Sequence, residues 1–308
     1  GSKAWEAFIL DRTRPRPLTT SNYDNSFKNA SIQSYGKTRF VSYGIDNYGN
    51  DLDVFKKYLK VDMRLKYNTA MTYIRSIRQF FSNQNNFNES EIRDFLSNID
   101  NPHTYNNYLK AFTALSRFIG IELKFKFTHI DPIIRVLPTK KELNEFFNAL
   151  DTDYERLLFV GYACSGLRRA ELLDIRMTNI DFTNHAFYPN HNTSTKKSYV
   201  SFYNKEFEEL FPIWLKSRSI KSEKLFAIGS SKKAYIFNTA HYNTNLDITP
   251  QTLRYWFSNE MAKLGVQDRF IDAFQGRIPR SILARHYTDY SLDSLKQIYD
   301  KANLKILF

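Results

Sequence analysis

The chain is short of several residue types, and each shortage excludes something. One cysteine, Cys164, occurs among 308 residues. No intramolecular disulfide can form, and a cysteine-rich zinc site is excluded. The cell interior is the natural compartment for such a chain. No apolar run approaches the ~20 residues that a bilayer span needs. No signal-peptide pattern opens the sequence, so an intracellular protein is expected. The six histidines are scattered without pairing, and no Asp/Glu/His cluster shows ligand spacing. Neither a metal nor another cofactor is therefore expected. Internal repeats and low-complexity tracts are also lacking. Acidic residues are too few to balance the basic ones: 32 against 44, a formal net charge of +12. An acidic buffer or solvating tail is excluded, and a polyanion becomes the default partner. Solubility alone is the competing explanation of the excess. The charge is spread, because residues 1–50, 51–130 and 131–308 are each basic. A partner that touches much of the molecule fits this better than a single basic tail does.

Apolar material is ample. Hydrophobic residues make up 42% and aromatics 16%, with 26 Phe and 20 Tyr, enough for packed cores. The length favours two domains over one. In residues 1–48, Arg12, Arg14 and Arg16 alternate with Pro15 and Pro17, which reads as an extended, positively charged arm. Residues 49–130 carry apolar residues at spacings of three and four. Leu52, Phe55 and Leu59 mark one helix, Ile74, Ile77 and Phe81 a second, Ile92 and Leu96 a third. Leu109, Phe112 and Leu115 mark a fourth, ended by Gly120. Four short helices make a small bundle. Phe125 to Leu137 reads as an extended connector closed by Pro138.

A second domain, 131–308, follows. Thr139 and Glu142 form a capping box, and Asp153 can cap the next helix. Residues 179–203 switch to strand chemistry, with the polar run Asn190–Lys197 as a hairpin loop. Thr249 and Pro250 start a further helix, and short helices follow near 266–275, 280–288 and 292–302. The expected fold is mainly α with a small antiparallel β-sheet. The amphipathic helix 292–302 packs either on its own domain or on a neighbouring protomer, with the trans role preferred.

The most informative string is Ser165-Gly166-Leu167-Arg168-Arg169-Ala170-Glu171-Leu172. A glycine turn joins two helices, and an arginine stands at the start of the second. Backbone N–H groups and guanidinium there converge on an anion. Glu171, one turn on, can hold an arginine in place. The string resembles the first box of tyrosine recombinases and integrases, a small-Gly-Leu-Arg-x-x-Glu-Leu run that supplies a catalytic arginine, here Arg168. The family's second box is His/Lys-x-x-Arg. Gln251-Thr252-Leu253-Arg254 stands in that place, with Gln251 as the departure. The third box is Gly-His or Gly-Trp with a tyrosine about ten residues on. Here Gly276-Arg277 precedes Tyr287. The departures at Gln251 and Arg277 are similar to those of archaeal virus and plasmid integrases. Residues 49–130 resemble the family's helical core-binding domain, and 131–308 its mixed α/β catalytic domain.

The resemblance implies a site-specific DNA recombinase. Tyr287 would attack a phosphodiester and form a 3′-phosphotyrosyl link, and a partner strand's 5′-hydroxyl would reverse it through a Holliday junction. The chemistry is consistent. A free tyrosine, with a pKa of about 10, is a poor nucleophile at neutral pH. Guanidiniums around the phosphate stabilise the developing charge and favour the phenolate, and their forks match phosphate oxygens. Arg168, Arg254 and Arg277 are the candidates, with Gln251 beside them. A family lysine on a β-hairpin protonates the leaving oxygen. Lys196 is preferred for this over Lys197. Tyr287 has one competitor, Tyr290. Lys197, Arg169, Arg75, Arg78 and Lys110 are candidate DNA contacts, and Glu171 a structural one. The expected partner is double-stranded DNA, bound by a homotetramer, with a monomer possible in free solution. A type IB topoisomerase-like relaxing enzyme and a catalytically inactive DNA-binding protein of the same fold are the alternatives.

Overall fold

A computed structural model describes residues 48–189, 192–193, 196–197, 199–218, 222–227, 237–277 and 281–307. The arginine–proline arm lies outside them. Two compact units divide between Ile134 and Arg135, inside the extended segment that the sequence marks as a connector.

The first unit holds four helices: α1 (Tyr48–Val61), α2 (Tyr67–Phe81), α3 (Glu89–Ser97) and α4 (Pro102–Ile119). Their ends follow local chemistry. Asn88 and Asn101 cap α3 and α4 with side-chain carbonyls, satisfying orphan N–H groups. Gly120 ends α4 in the left-handed region at φ 76°, which a Cβ would disfavour. The inward stripes meet in a phenylalanine-rich core. Phe80 lies edge-on to Phe81, Phe87, Phe95 and Phe112. Each ring fully removed from water contributes about 2–3 kcal/mol. Arg75 and Arg78 on α2 and Lys110 on α4 stay exposed.

The second unit centres on α6 (Asp153–Ser165), buried from Leu157 to its end. Before it comes α5 (Lys140–Asn148), which starts with the Thr139–Glu142 capping box read from the sequence. The cap of α6 differs from expectation. Thr152, not Asp153, occupies the N-cap, in a capping box with Glu155. Hydroxyl and carboxylate satisfy two donors reciprocally, and Asp153 becomes the first helical residue. After α6 come the short α7 (Arg169–Leu173) and β1 (Ile180–Asp181), β2 (Ala186–Phe187), β3 (Asn192–Thr193), β4 (Lys196–Lys197) and β5 (Ser201–Phe202). The sheet order is β1-β2-β5, antiparallel throughout. Beyond it, β3 and β4 pair with Thr193 opposite Lys196 and Asn192 opposite Lys197. The expected loop Asn190–Lys197 is thus partly strand, and both lysines sit on a ladder. Polar residues hide such an extension, because neither face carries an apolar alternation.

Helices α8 (Lys205–Ser217) and α10 (Pro250–Lys263) pack on α6, with α9 (Asn238–Thr244) between them in the chain. Thr249 caps α10 and Pro250 opens it. Then follow α11 (Asp268–Phe274), α12 (Ile282–His286) and α13 (Leu292–Ala302). The fold is mainly α with a small antiparallel sheet. In the single chain the last helix packs on its own domain. Leu295 and Tyr299 are buried, and the Tyr299 hydroxyl donates to the Cys164 carbonyl at 2.8 Å. The residues after α13 are held as well. Backbone N–H groups of Ile306 and Leu307 donate to the Glu206 carboxylate, and Ile306 is fully buried. Among the described residues no helix is long and apolar enough to cross a membrane.

Candidate active site

The site grows from the end of α6. Gly166 ends that helix at φ 60°, its N–H donating to the Tyr162 carbonyl at 3.1 Å. Only a residue without a side chain fits here. A Cβ at Gly166 would lie 2.3 Å from the Phe257 ring, and Phe257 is fully buried on α10. The turn is braced from both sides. The Ser165 carbonyl accepts from the Ser201 hydroxyl at 2.6 Å, and the Leu167 N–H donates to the Ser165 hydroxyl. Gly166→Ala therefore combines left-handed strain with overpacking and is expected to cost about 3 kcal/mol or more, read from chemical denaturation.

Arg168 occupies the N-cap of α7. Glu171, one turn on and 3% exposed, accepts from both the Arg168 backbone N–H (2.8 Å) and Nη1 (2.6 Å). Arg254, on the buried face of α10, reaches the same place. Its Nη1 donates to the Gly166 carbonyl at 2.5 Å and its Nη2 to the Gln275 carbonyl at 2.8 Å. The Glu171 carboxylate lies 4.0 Å from Nη1. Arg168 Nη1 also donates to the Gln275 carbonyl, at 3.2 Å. Arg277 is held from α11, where Asp272 accepts from its Nη1 at 3.2 Å. Its backbone N–H donates to the Asp272 carbonyl.

Burial, then the neighbouring charge of Arg168, pulls the Arg254 pKa down to about 9; Arg277 adds to this, while Glu171 and Asp272 oppose it. Three guanidiniums thus face two carboxylates, which leaves an excess positive charge. A guanidinium has five N–H donors, so the two that Arg254 spends on carbonyls leave others for an anion.

Gln251 lies in the first turn of α10, three residues before Arg254, and is exposed. Arg169 is also exposed, and its carbonyl accepts from the Tyr162 hydroxyl. The side chains of Lys196 and Lys197 lie outside the described residues; only their backbone pairing is fixed. Tyr287 caps the C-terminus of α12 with 76% of its surface exposed. Its phenol joins none of the hydrogen bonds that tie the arginines. Tyr290 differs, since it is buried and donates to the Ala284 carbonyl at 2.7 Å. Sequence reasoning missed Gln275, Asp272 and Arg269. The first two set the arginines, and Arg269 Nη1 donates to the Thr288 hydroxyl next to Tyr287 at 3.4 Å. A polar residue following the apolar pair Ile271 and Phe274 was the one available signal for Gln275.

A family model described as archaeal phage integrase matches residues 135–302, the stretch that holds all these groups. The chain belongs to this family. Residues 135–302 are thus an integrase-family domain. The fold of the chain is shared with solved structures at low sequence identity. A lambda integrase tetramer bound to a Holliday junction is 15% identical, with a TM-score of 0.60, over 91% of this chain and 87% of that one. Lambda integrase bound to DNA is 15% identical at 0.59, over 76% and 94%. The Tn1549 transposon integrase in complex with circular intermediate DNA is 16% identical at 0.57, over 80% and 97%. No curated protein sequence matches the integrase.

Proposed function

We propose that the integrase cleaves and rejoins duplex DNA at a specific site, with Tyr287 as nucleophile and Arg168, Arg254 and Arg277 as the phosphate clamp. The observation that carries this reading is the convergence of Arg168 and Arg254 on one carbonyl, with Arg277 close enough to depress Arg254. The Tyr287 oxygen attacks phosphorus, and the bond to the 5′-oxygen breaks. The guanidiniums neutralise the extra charge of the pentacoordinate phosphorane, where fixed donors act most strongly. The leaving 5′-oxygen takes a proton from Lys196, on β4. A 3′-phosphotyrosyl link keeps the energy of the broken ester, so a 5′-hydroxyl from a partner strand reseals it without ATP. Exchange of two strand pairs passes through a Holliday junction. The lambda relative bound to such a junction is a tetramer, and a homotetramer on DNA is the assembly proposed here. Gln251 stands beside the clamp, and Lys197 and Arg169 contact flanking phosphates.

A library of random-sequence duplexes tests the reading. After incubation and denaturation, protein-linked strands are recovered and sequenced. The expected result is a recurring cleavage site whose 3′ end is blocked by protein and whose 5′ end is a free hydroxyl. Failure of wild type to form any adduct, despite binding, leaves an inactive DNA-binding protein instead. Relaxation of a supercoiled plasmid without exchange between two sites would mark a topoisomerase. Exposed Arg75, Arg78 and Lys110 supply phosphate contacts in the helical unit. Each, replaced by alanine, is expected to weaken binding across all sequences and to lower the salt slope of log K by about 1.

A further inference from the structure

Gln275 follows the seven-residue helix α11, whose Ile271 and Phe274 enter the core. It is fully buried, an unfavourable place for an amide unless its polar atoms are bonded. Half of the amide is bonded. Nε2 donates to the Arg254 carbonyl at 2.9 Å, while Oε1 has no partner among the described residues. Flipping the amide would set Oε1 against that carbonyl, so the orientation is fixed by its one bond. An apolar side chain would fill the space without leaving an acceptor orphaned. The amide is a costly choice, and its bond shows what it does.

The main-chain carbonyl of Gln275 matters as much. It sits at a helix C-terminus, where carbonyls lack intrahelical donors and carry partial negative charge. Two guanidiniums use it: Arg168 Nη1 at 3.2 Å and Arg254 Nη2 at 2.8 Å. Together with the amide bond, this closes a reciprocal ring. Arg254 donates to the backbone of Gln275, and Gln275 donates to the backbone of Arg254. The ring fixes the plane of the Arg254 guanidinium and ties α10 to α11. It also sets the acceptor that aims Arg168.

We infer that Gln275 is a positioning residue for the phosphate clamp, aligning Arg168 and Arg254 through its carbonyl and locking that carbonyl in place with its amide. The inference rests on the recombinase reading above. Gln275 touches no DNA; it acts through the two arginines.

Gln275→Met keeps the volume and removes the amide. Single-turnover adduct formation at saturating duplex is expected to fall about 10- to 100-fold, with DNA affinity within about threefold of wild type, because uniform binding is untouched. A second substrate isolates the cause. In a methylphosphonate linkage at the cleavage site, the phosphate lacks the charge that the arginines neutralise. The deficit of Gln275→Met is expected to shrink several-fold there. Gln275→Glu covers the case in which the methionine variant is unstable. Its carboxyl restores the donor only when protonated, so its rate relative to wild type is expected to rise as pH falls.

A Gln275→Met rate equal to wild type overturns the assignment, as does an equal deficit on both substrates or a Gln275→Glu ratio flat with pH. In each of these the wild type still forms its adduct, so the recombinase reading survives. Absence of any wild-type adduct removes both.

Discussion

Tyr287→Phe abolishes the covalent protein–DNA adduct, while Tyr290→Phe keeps it. This is the expected outcome when both variants are incubated with a cleavable duplex and resolved under denaturing conditions. The two tyrosines lie three residues apart, and their surroundings separate them. The Tyr290 hydroxyl is spent on the Ala284 carbonyl, its ring packs edge-on to Phe270, and burial raises its pKa. A phenol in that state holds the chain after α12 in place and is a weak nucleophile. Tyr287 stands at the end of α12 with its ring in solvent, where a phosphodiester can reach it. Phenylalanine at 287 removes one exposed oxygen, so folding and DNA affinity stay near wild type. Phenylalanine at 290 removes one buried hydrogen bond, worth about 1 kcal/mol. Its rate falls modestly as the Tyr287 segment loosens. An adduct of wild-type yield from Tyr287→Phe would move the nucleophile elsewhere.

Much of this architecture is legible in the sequence because the signals are local. A capping box, a proline at the first helical position or a glycine in the left-handed region acts over three or four residues. Thr139, Thr249 and Gly120 accordingly do in the structure what their neighbours suggest. Thr152 against Asp153 shows the resolution limit of such reading, since both are good caps and the partner at Glu155 decides. The arginines are legible as a spacing. Their surroundings are not, because Gly166, Glu171 and Gln275 meet only after three helices have packed. The cis docking of α13 is equally non-local. It depends on Cys164 and Glu206 offering bonds to residues about a hundred or more positions away. An amphipathic pattern shows that a helix needs a partner surface, not whose surface it is.

Replacing Arg254 is expected to have the largest effect among the clamp residues, and lysine is expected to be nearly as damaging as alanine. Arg254 is 4% exposed and spans two carbonyls contributed by different segments, at 2.5 and 2.8 Å. A planar fork can satisfy both and still turn donors to a phosphate. The single ammonium of lysine is a point on a shorter stem. It leaves at least one carbonyl unpaired, at about 1–3 kcal/mol, and cannot offer two aligned donors to the transition state. Single-turnover cleavage by either variant is expected to fall about 100- to 1,000-fold, the scale of losing one preorganised donor set. The electrostatics add a signature in pH. Burial and Arg168 lower the Arg254 pKa to about 9, below its unfolded value. The folded chain then binds fewer protons than the unfolded one as pH rises from about 9, and stability from this group increases over that range. Charge on Arg254 weakens the DNA-free fold, and a bound anion relieves the strain. Inorganic sulfate is therefore expected to raise the melting temperature of wild type more than that of Arg254→Met. The bound phosphate favours the guanidinium, so the charge that destabilises the empty site is retained in the complex to higher pH, and cleavage of bound duplex is expected to stay level as pH passes about 9. An Arg254→Lys enzyme that cleaved at the wild-type rate would show that a single positive charge suffices and that the paired carbonyls are incidental.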